Sequence, residues 1–452
     1  HSMRPLRQSN VPPPVTPGVW RRFPAADLWQ DVRYAARVLR KQPGFTAAAV
    51  ITLATQVSTS GPCTTAGGLL RADALSAFML LVVAAVALVA CAATPAHLRG
   101  EISAGRARTR TATQHSVLVQ VFLSAMALAV LASSLGLLWV AVEATTIVTA
   151  FLVGQRRTRA AVEAAWKYVV ICSTGIAMAL LGTFLLNYAA GRAGNGLDWA
   201  GLTANASGLD PGVTRIAVVL LILGFGTKAG LAPLHSWLPD AHSQAPAPVS
   251  ALMSGVLLAV AFYAILRVKA IADVALGTGF ARILLAVIAL ASLLVAATAL
   301  IAQRDYKRML AYSSIEHMGL LALGAAIGGP LATTAVLLHV LGHGLAKSTL
   351  FLGAGHILQA TGTKFDTDLG SDAIDAHWDK FLYAFGLRKS VIEDQRYYAM
   401  ALDGEKRHLD AIGSNAGQCL WSGIPSPARG RDVADRLMNP TMFSGWGNRV
   451  VA

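Results

Sequence analysis

Seven ionisable residues stand in apolar surroundings where charge is expensive, and their types suit proton binding and release. Glu143 lies in Leu137-Leu138-Trp139-Val140-Ala141-Val142-Glu143-Ala144, with no Lys or Arg within one helical turn. A charged group at that depth costs about 3 kcal/mol or more unless it is paired or hydrated, which marks such positions as ion or proton pathways. Its partner is expected on another helix; the alternative is a carboxyl kept neutral by burial.

Lys228 lies in Gly224-Phe225-Gly226-Thr227-Lys228-Ala229-Gly230-Leu231-Ala232-Pro233, more than one turn from either end of its apolar segment. Snorkelling from that depth is awkward. Gly226, Gly230 and Pro233 predict a helix break, tolerated at membrane depth where it lines a protein-buried or hydrated cavity. An ammonium at such a break can exchange its proton near neutral pH.

In His339-Val340-Leu341-Gly342-His343-Gly344-Leu345-Ala346-Lys347-Ser348, His339, His343 and Lys347 follow at i, i+4 and i+8, on one helical face. A proton relay, a buried hydrogen-bonded face and a metal pair are the readings. Metal is the weakest, because no HExxH glutamate accompanies the pair and Lys347 repels a cation. Lys307 and Glu316 bracket Met309 to Ile315. Lys307 is either a relay group or a cytoplasmic anchor, and Glu316, beside His317, either a relay group or a structural hydrogen-bonding residue.

His235, Asp240 and His242 fall in a segment punctuated by Trp237, Pro239, Pro246 and Pro248, expected to be a rigid interfacial connection rather than a ligand set. Gly224-x-Gly226-x-x-x-Gly230 has the wrong spacing for a dinucleotide loop, and no GxxxxGK[ST] occurs. Cys63, Cys91, Cys172 and Cys419 match no zinc or CxxC spacing. No cofactor, metal or hydrolytic site is expected.

The elements that must hold these groups follow from composition. Of 452 residues, 54% are hydrophobic and only 14% charged, well below the roughly 25% usual in soluble domains. Residues 45–363 carry 19 Lys/Arg and 10 Asp/Glu, whereas residues 364–452 carry 11 and 12, a density typical of soluble protein. Segments of about 20 apolar residues, enough to cross a bilayer as helices, are predicted near 74–94, 117–134, 135–153, 166–190, 215–235, 247–268, 281–302, 309–327 and 331–358, with a turn at Ser133-Ser134-Leu135-Gly136. The expected fold is an all-α polytopic membrane bundle.

The net charge of +14 belongs to orientation, not to nucleic acid. One set of alternate loops holds Arg99, Arg106, Arg108, Arg110, Arg156, Arg157, Arg159, Arg304, Lys307 and Arg308; the other holds Arg192 and Lys269. Positive-inside counting makes the first set, and the tail after Ile357, cytoplasmic. The Pro-rich start lacks the apolar core of a cleavable signal peptide.

The stretch GFGTKAGLAPLHSWLPDAHSQAPAPVSA from Gly224 to Ala251, with Lys307 to Ile315 and His343 to Phe351, resembles the proton-translocating membrane subunits shared by NADH-quinone oxidoreductase, Mrp-type antiporters and membrane-bound hydrogenases. The wording is most similar to hydrogenase-4 component F. The resemblance covers about 70–360. It implies a hydrated polar axis in which Glu143, Lys228, His343 and Lys347 move protons. It also implies redox and membrane subunits as partners, no redox cofactor in this chain, and a bacterial inner-membrane location. The family has two inverted five-helix repeats; here the first (117–268) is complete and the second stops after three helices.

The ends differ. Residues 1–26 read as a disordered Pro-rich start. Residues 27–56 resemble the basic amphipathic beginning of MacB-type permeases, a membrane-surface helix by itself. Residues 364–452 are expected to be a soluble tail, within which Tyr397 to Trp446 resembles the end of amylo-alpha-1,6-glucosidase proteins, and Asp403, Glu405 and Asp410 read as surface carboxylates. Alternatives left open are a chimeric or truncated membrane protein without transport, and a membrane-anchored debranching glycosidase.

Overall fold

The computed structural model describes residues 55–361, apart from 193, 195 and 302, together with strands Val391–Ile392 and Tyr397–Tyr398, which pair antiparallel. The Pro-rich start, nearly all of the permease-like segment and the tail carboxylates lie outside the described residues.

A hairpin of β1 (Cys63–Thr65) and β2 (Leu70–Ala72) leads into the helices. These are α1 (Ala74–Ser103), α2 (Thr109–Leu131), α3 (Leu135–Val153) and α4 (Arg159–Arg192), then the short α5 (Trp199–Ala204). There follow α6 (Pro211–Ala229), α7 (Trp237–Gln244), α8 (Ala247–Leu252), α9 (Leu258–Leu276), α10 (Thr278–Ile301), α11 (Tyr306–Ile327) and α12 (Gly329–Thr361). With α8 and α9 taken as one run through a π-helical turn at Met253–Leu257, nine helices among the described residues are long and apolar enough to cross a membrane. Each overlaps one of the nine predicted spans, with some ends displaced by up to about two and a half turns.

Most of the few aspartates of this region do structural work at helix starts, where the first N–H groups lack partners. Asp73 accepts from Ser76 N, Asp210 from Val213 N beside Pro211, and Asp305 from Lys307 N and Arg308 N. Ser134 caps α3 at the predicted turn. Asp198 likewise caps α5.

Large apolar side chains cover the outside, among them Phe151, Trp166, Ile283, Leu294 and Leu331, as lipid rather than water requires. The axis is the α8–α9 run, where every residue from Ala245 to Ile265 is buried. In lipid, close helix approach rests on small residues, and α4 meets α6 in this way. A Cβ on Gly224 would stand 2.5 Å from the Gly175 carbonyl oxygen, and one on Gly182 would stand 2.9 Å from that of Ala217. Gly255 in the π turn faces Gly344 of α12 just as tightly.

Candidate functional site

α4 and α6, brought together by their glycines, enclose a fully buried cation. Lys228 has no exposed surface, and its Nζ donates to Tyr168 Oη of α4 at 2.5 Å while lying 4.7 Å from the centre of that ring. Trp237 packs edge-on against Tyr168 at 5.0 Å and donates its indole N–H to Thr227 O at 2.9 Å. Glu143 on α3 is half-buried, and its Oε2 accepts from Thr146 Oγ1 at 3.0 Å. The Thr146 and Thr149 hydroxyls flank the Tyr168 phenol, although Thr149 Oγ1 reaches hydrogen-bonding geometry with nothing. Glu143, Tyr168, Cys172 and Lys228 thus form one electrostatically linked group. Neither Glu143 nor Lys228 is in an ion pair among the described residues.

Two expectations need correction here. Glu143 does not depend on another helix for its hydrogen bond, because Thr146 at i+3 on its own helix supplies one. Lys228 is not well inside its helix: α6 ends at Ala229, so the lysine occupies the last turn before the break. Gly230 takes φ +77° there, a left-handed C-cap that suits glycine, and Leu231 N closes onto Gly226 O at 2.9 Å. Ala232 N, before the cis Pro233 bond, donates to Ser292 Oγ at 2.9 Å.

The segment expected to be an interfacial connection is a buried helix. In α7, Trp237, Leu238, Ala241 and His242 have no exposed surface. Its start meets the Lys228 group through Trp237, and its end meets α11, where Ser243 Oγ donates to Asp305 Oδ2 at 2.8 Å. Asp240 accepts from Arg308 Nη1 at 2.6 Å and from Lys167 Nζ at 3.1 Å, tying α11 to α4. The His242 Nδ1 donates to Leu238 O at 2.9 Å, which leaves Nε2 as a buried nitrogen without a partner, its ring 5.3 Å from that of Phe351. Burial, with the Lys307 and Lys347 charges adding to it, pushes His242 down to about 3.

Lys307 is no surface anchor: it is fully buried and its Nζ donates to Ala245 O at 2.7 Å, at the junction of α7 and α8. On α12, Lys347 is buried and donates to Leu310 O at 3.2 Å, with Glu316 near enough to act on it electrostatically. His339 pairs with His317 of α11, Nε2 to Nδ1, at 3.0 Å, and the His343 ring lies 5.1 Å from that of His317. The Ser254 backbone lies near His343, yet neither of its buried ring nitrogens reaches hydrogen-bonding geometry. Ser254 Oγ and Ser314 Oγ, 2.9 Å apart, join the π turn to α11.

The three residues spaced at i, i+4 and i+8 therefore do line one side of α12. They meet Glu316 and His317 of α11, whereas Glu143 and Lys228 form a separate group, and α7 with Lys307 lies between the two. Sequence reasoning missed Tyr168, His317 and His242 as members. His317 had a signal, since it directly follows Glu316. Tyr168 had none beyond a polar tip on an apolar helix.

A multi-pass membrane bundle with buried lysines and histidines, half-buried glutamates and a helix broken at Gly230 is the class these features define. The model of the NADH:quinone oxidoreductase/Mrp antiporter transmembrane family matches residues 132–371, and the chain belongs to that family. It is 38% identical over 307 residues to a hydrogenase-4 component F homolog of Methylacidiphilum infernorum, covering 67% of this chain and 64% of that protein. It is 33% identical over 322 residues to hydrogenase-4 component B of Escherichia coli, covering 68% of this chain and 46% of the relative. The chain thus spans less than two thirds of either relative's length. The fold is similar to a chain of the membrane-bound sulfane sulfur reductase, an archaeal respiratory membrane complex, with a TM-score of 0.61 and 24% identity, covering 76% of this chain and 72% of that one.

Proposed function

We propose that residues 70–363 form a proton-translocating membrane unit of a hydrogenase-4 or complex-I-like assembly. Electron transfer in partner subunits supplies the energy, and this chain moves protons through Glu143, Lys228, Lys307, Glu316, His339, His343 and Lys347. The reading is supported most by a single observation: Lys228, without exposed surface, is hydrogen-bonded to a phenol instead of a carboxylate. A permanent structural ammonium in that position would lack the charge partner that offsets its desolvation. A lysine that gains and loses its proton needs no permanent counter-charge.

The chemistry is electrostatic. The free-energy cost of charging a buried carboxylate depends on the ammonium groups near it, and the converse holds for the ammonium. A small change in the spacing between the Glu143 and Lys228 groups, or between Glu316 and Lys347, therefore moves protons. α7 couples the two, because it touches the first group through Trp237 and, at its other end, packs His242 on Phe351 of α12 and bonds Ser243 to Asp305 at the start of α11, the two helices that carry the second group. Reciprocal coupling of this kind makes each site's proton occupancy depend on the other's.

The loop arginines support a bacterial inner-membrane orientation with the tail cytoplasmic. Proton uptake by the assembled complex in proteoliposomes is the test. Lys228→Ala should lower the rate at least tenfold; an unchanged rate would remove that lysine from the mechanism and the reading with it.

A further inference from the structure

An ammonium has three donors and a phenol hydroxyl can accept and donate at once. Lys228 Nζ makes a hydrogen bond to Tyr168 Oη at 2.5 Å, so the phenol's own proton must point elsewhere. The polar side chains beside it are Thr149 and Thr146, both on α3. Thr146 Oγ1 in turn donates to Glu143 Oε2 at 3.0 Å. The ring cannot swing freely out of this position, because Tyr168 is wholly buried and packed edge-on against Trp237, whose indole is fixed to Thr227 O. Two hydrogen bonds, Lys228 to Tyr168 and Thr146 to Glu143, thus point the same way from α6 through α4 to α3, with the Tyr168 phenol and the Thr146 hydroxyl side by side between them.

We propose that Tyr168 is the relay hydroxyl through which Lys228 and Glu143 exchange a proton, an inference that rests on the proton-transport reading above. In the forward direction an N–H bond of Lys228 breaks as an O–H bond forms at Tyr168 Oη. The proton the phenol already carried passes to Thr146 Oγ1, and the proton that threonine carried passes to Glu143 Oε2. Lys228 ends neutral, Glu143 ends protonated, and both hydroxyls are regenerated. One proton crosses from α6 to α3 and no electrons change hands. Thr149, buried beside the phenol with its hydroxyl unpartnered, offers a second acceptor for the same step.

Tyr168→Phe removes the hydroxyl and keeps the ring that packs on Trp237. The assembled complex in proteoliposomes should lose tenfold or more of its proton uptake under an imposed membrane potential. Its pH profile should move, because Lys228, Glu143 and Cys172, the titratable groups around the phenol, no longer share a proton path. Thr146→Val should give a smaller loss of the same kind. Uptake and pH profile both unchanged in Tyr168→Phe would overturn the relay. So would a lower rate with an unmoved pH profile and a lower melting temperature, the mark of a purely structural hydroxyl. Lys228→Ala separates the two levels. If it leaves uptake intact, the transport reading itself fails; if it abolishes uptake while Tyr168→Phe does not, only the relay fails.

Discussion

Arg267 Nη2 of α9 donates to Asp73 Oδ1, the cap of α1, across 2.6 Å. The same guanidinium donates to Ser76 Oγ and to Tyr263 Oη at 3.0 Å each, and Tyr263 Oη itself donates to Val130 O at the end of α2. One side chain therefore holds α1, α2 and the central α9 together at the membrane face opposite the arginine-rich loops. Arg267→Ala leaves a mostly buried carboxylate without its cation, an effect of about 3 kcal/mol for such pairs. Thermal melting in detergent should fall by several degrees, and Arg267→Lys, which loses the planar fork, should recover only part of it. Melting equal to the parent would show that the cluster contributes nothing to stability.

The α4–α6 contact should be less forgiving than its polar neighbours. With the Gly175 carbonyl oxygen 2.5 Å from where a Gly224 Cβ would sit, even alanine forces the backbones apart. Overpacking of this kind costs about 1–3 kcal/mol, and the separation would also lengthen the hydrogen bond between Lys228 and Tyr168. Gly224→Ala is expected to lower both melting temperature and proton uptake. Ala substitution at Gly342, whose Cβ would meet nothing within 4 Å, is the matched control and should change neither by more than a small amount.

Much of this was legible because lipid penalises charge so heavily. Glu143, Lys228 and Lys347 stood out once the nine apolar spans were marked, and the turn at Ser133-Ser134 followed from a run too long for one helix. The short distance from Glu143 to Thr146 was also there to be read, as an i, i+3 pair, but a search for a countercharge passes over a hydroxyl. The burial of α7 was not legible: Trp and Pro punctuation suits a surface connection equally well, and only Ser243 and Asp240 meeting partners on α11 and α4, with Lys307 of α11 bonded to the Ala245 carbonyl just past its end, draw it inside. Tyr168 was hidden for the opposite reason, since a tyrosine in a membrane span is mostly hydrocarbon and its one polar atom acquires meaning only from what lies opposite.

His317 and His339 should act as a unit. Their nitrogens lie 3.0 Å apart, so one ring donates and the other accepts, and removing either leaves its partner's nitrogen unsatisfied. His317→Ala and His339→Ala should each slow proton uptake, and the double variant should be no slower than the worse single one. Coupling in such contacting pairs amounts to about 0.5–3 kcal/mol. Strictly additive losses would mean that the two imidazoles serve different steps.

His242 gives the fold a defined sensitivity to acid. Its folded value of about 3 lies below the ordinary 6.5 because the imidazolium would be buried without a counter-charge, beside Lys307 and Lys347, which outweighs its hydrogen bond to Leu238 O. Between those two values the unfolded chain binds a proton that the folded chain does not. Stability from this group is therefore complete above pH 6.5 and declines as pH falls towards 3, with about 2 kcal/mol gone by pH 5. Melting followed from pH 7.5 to pH 5 should show that decline in the parent. His242→Gln keeps polar character and removes the titration, so it should melt lower at pH 7.5 through lost packing against Trp237 and Phe351 yet fall less steeply on acidification. The quantity to compare is the difference between the two pH values within each protein, since packing loss cancels there and proton uptake does not. An acid slope as steep in His242→Gln as in the parent would assign the sensitivity to other groups.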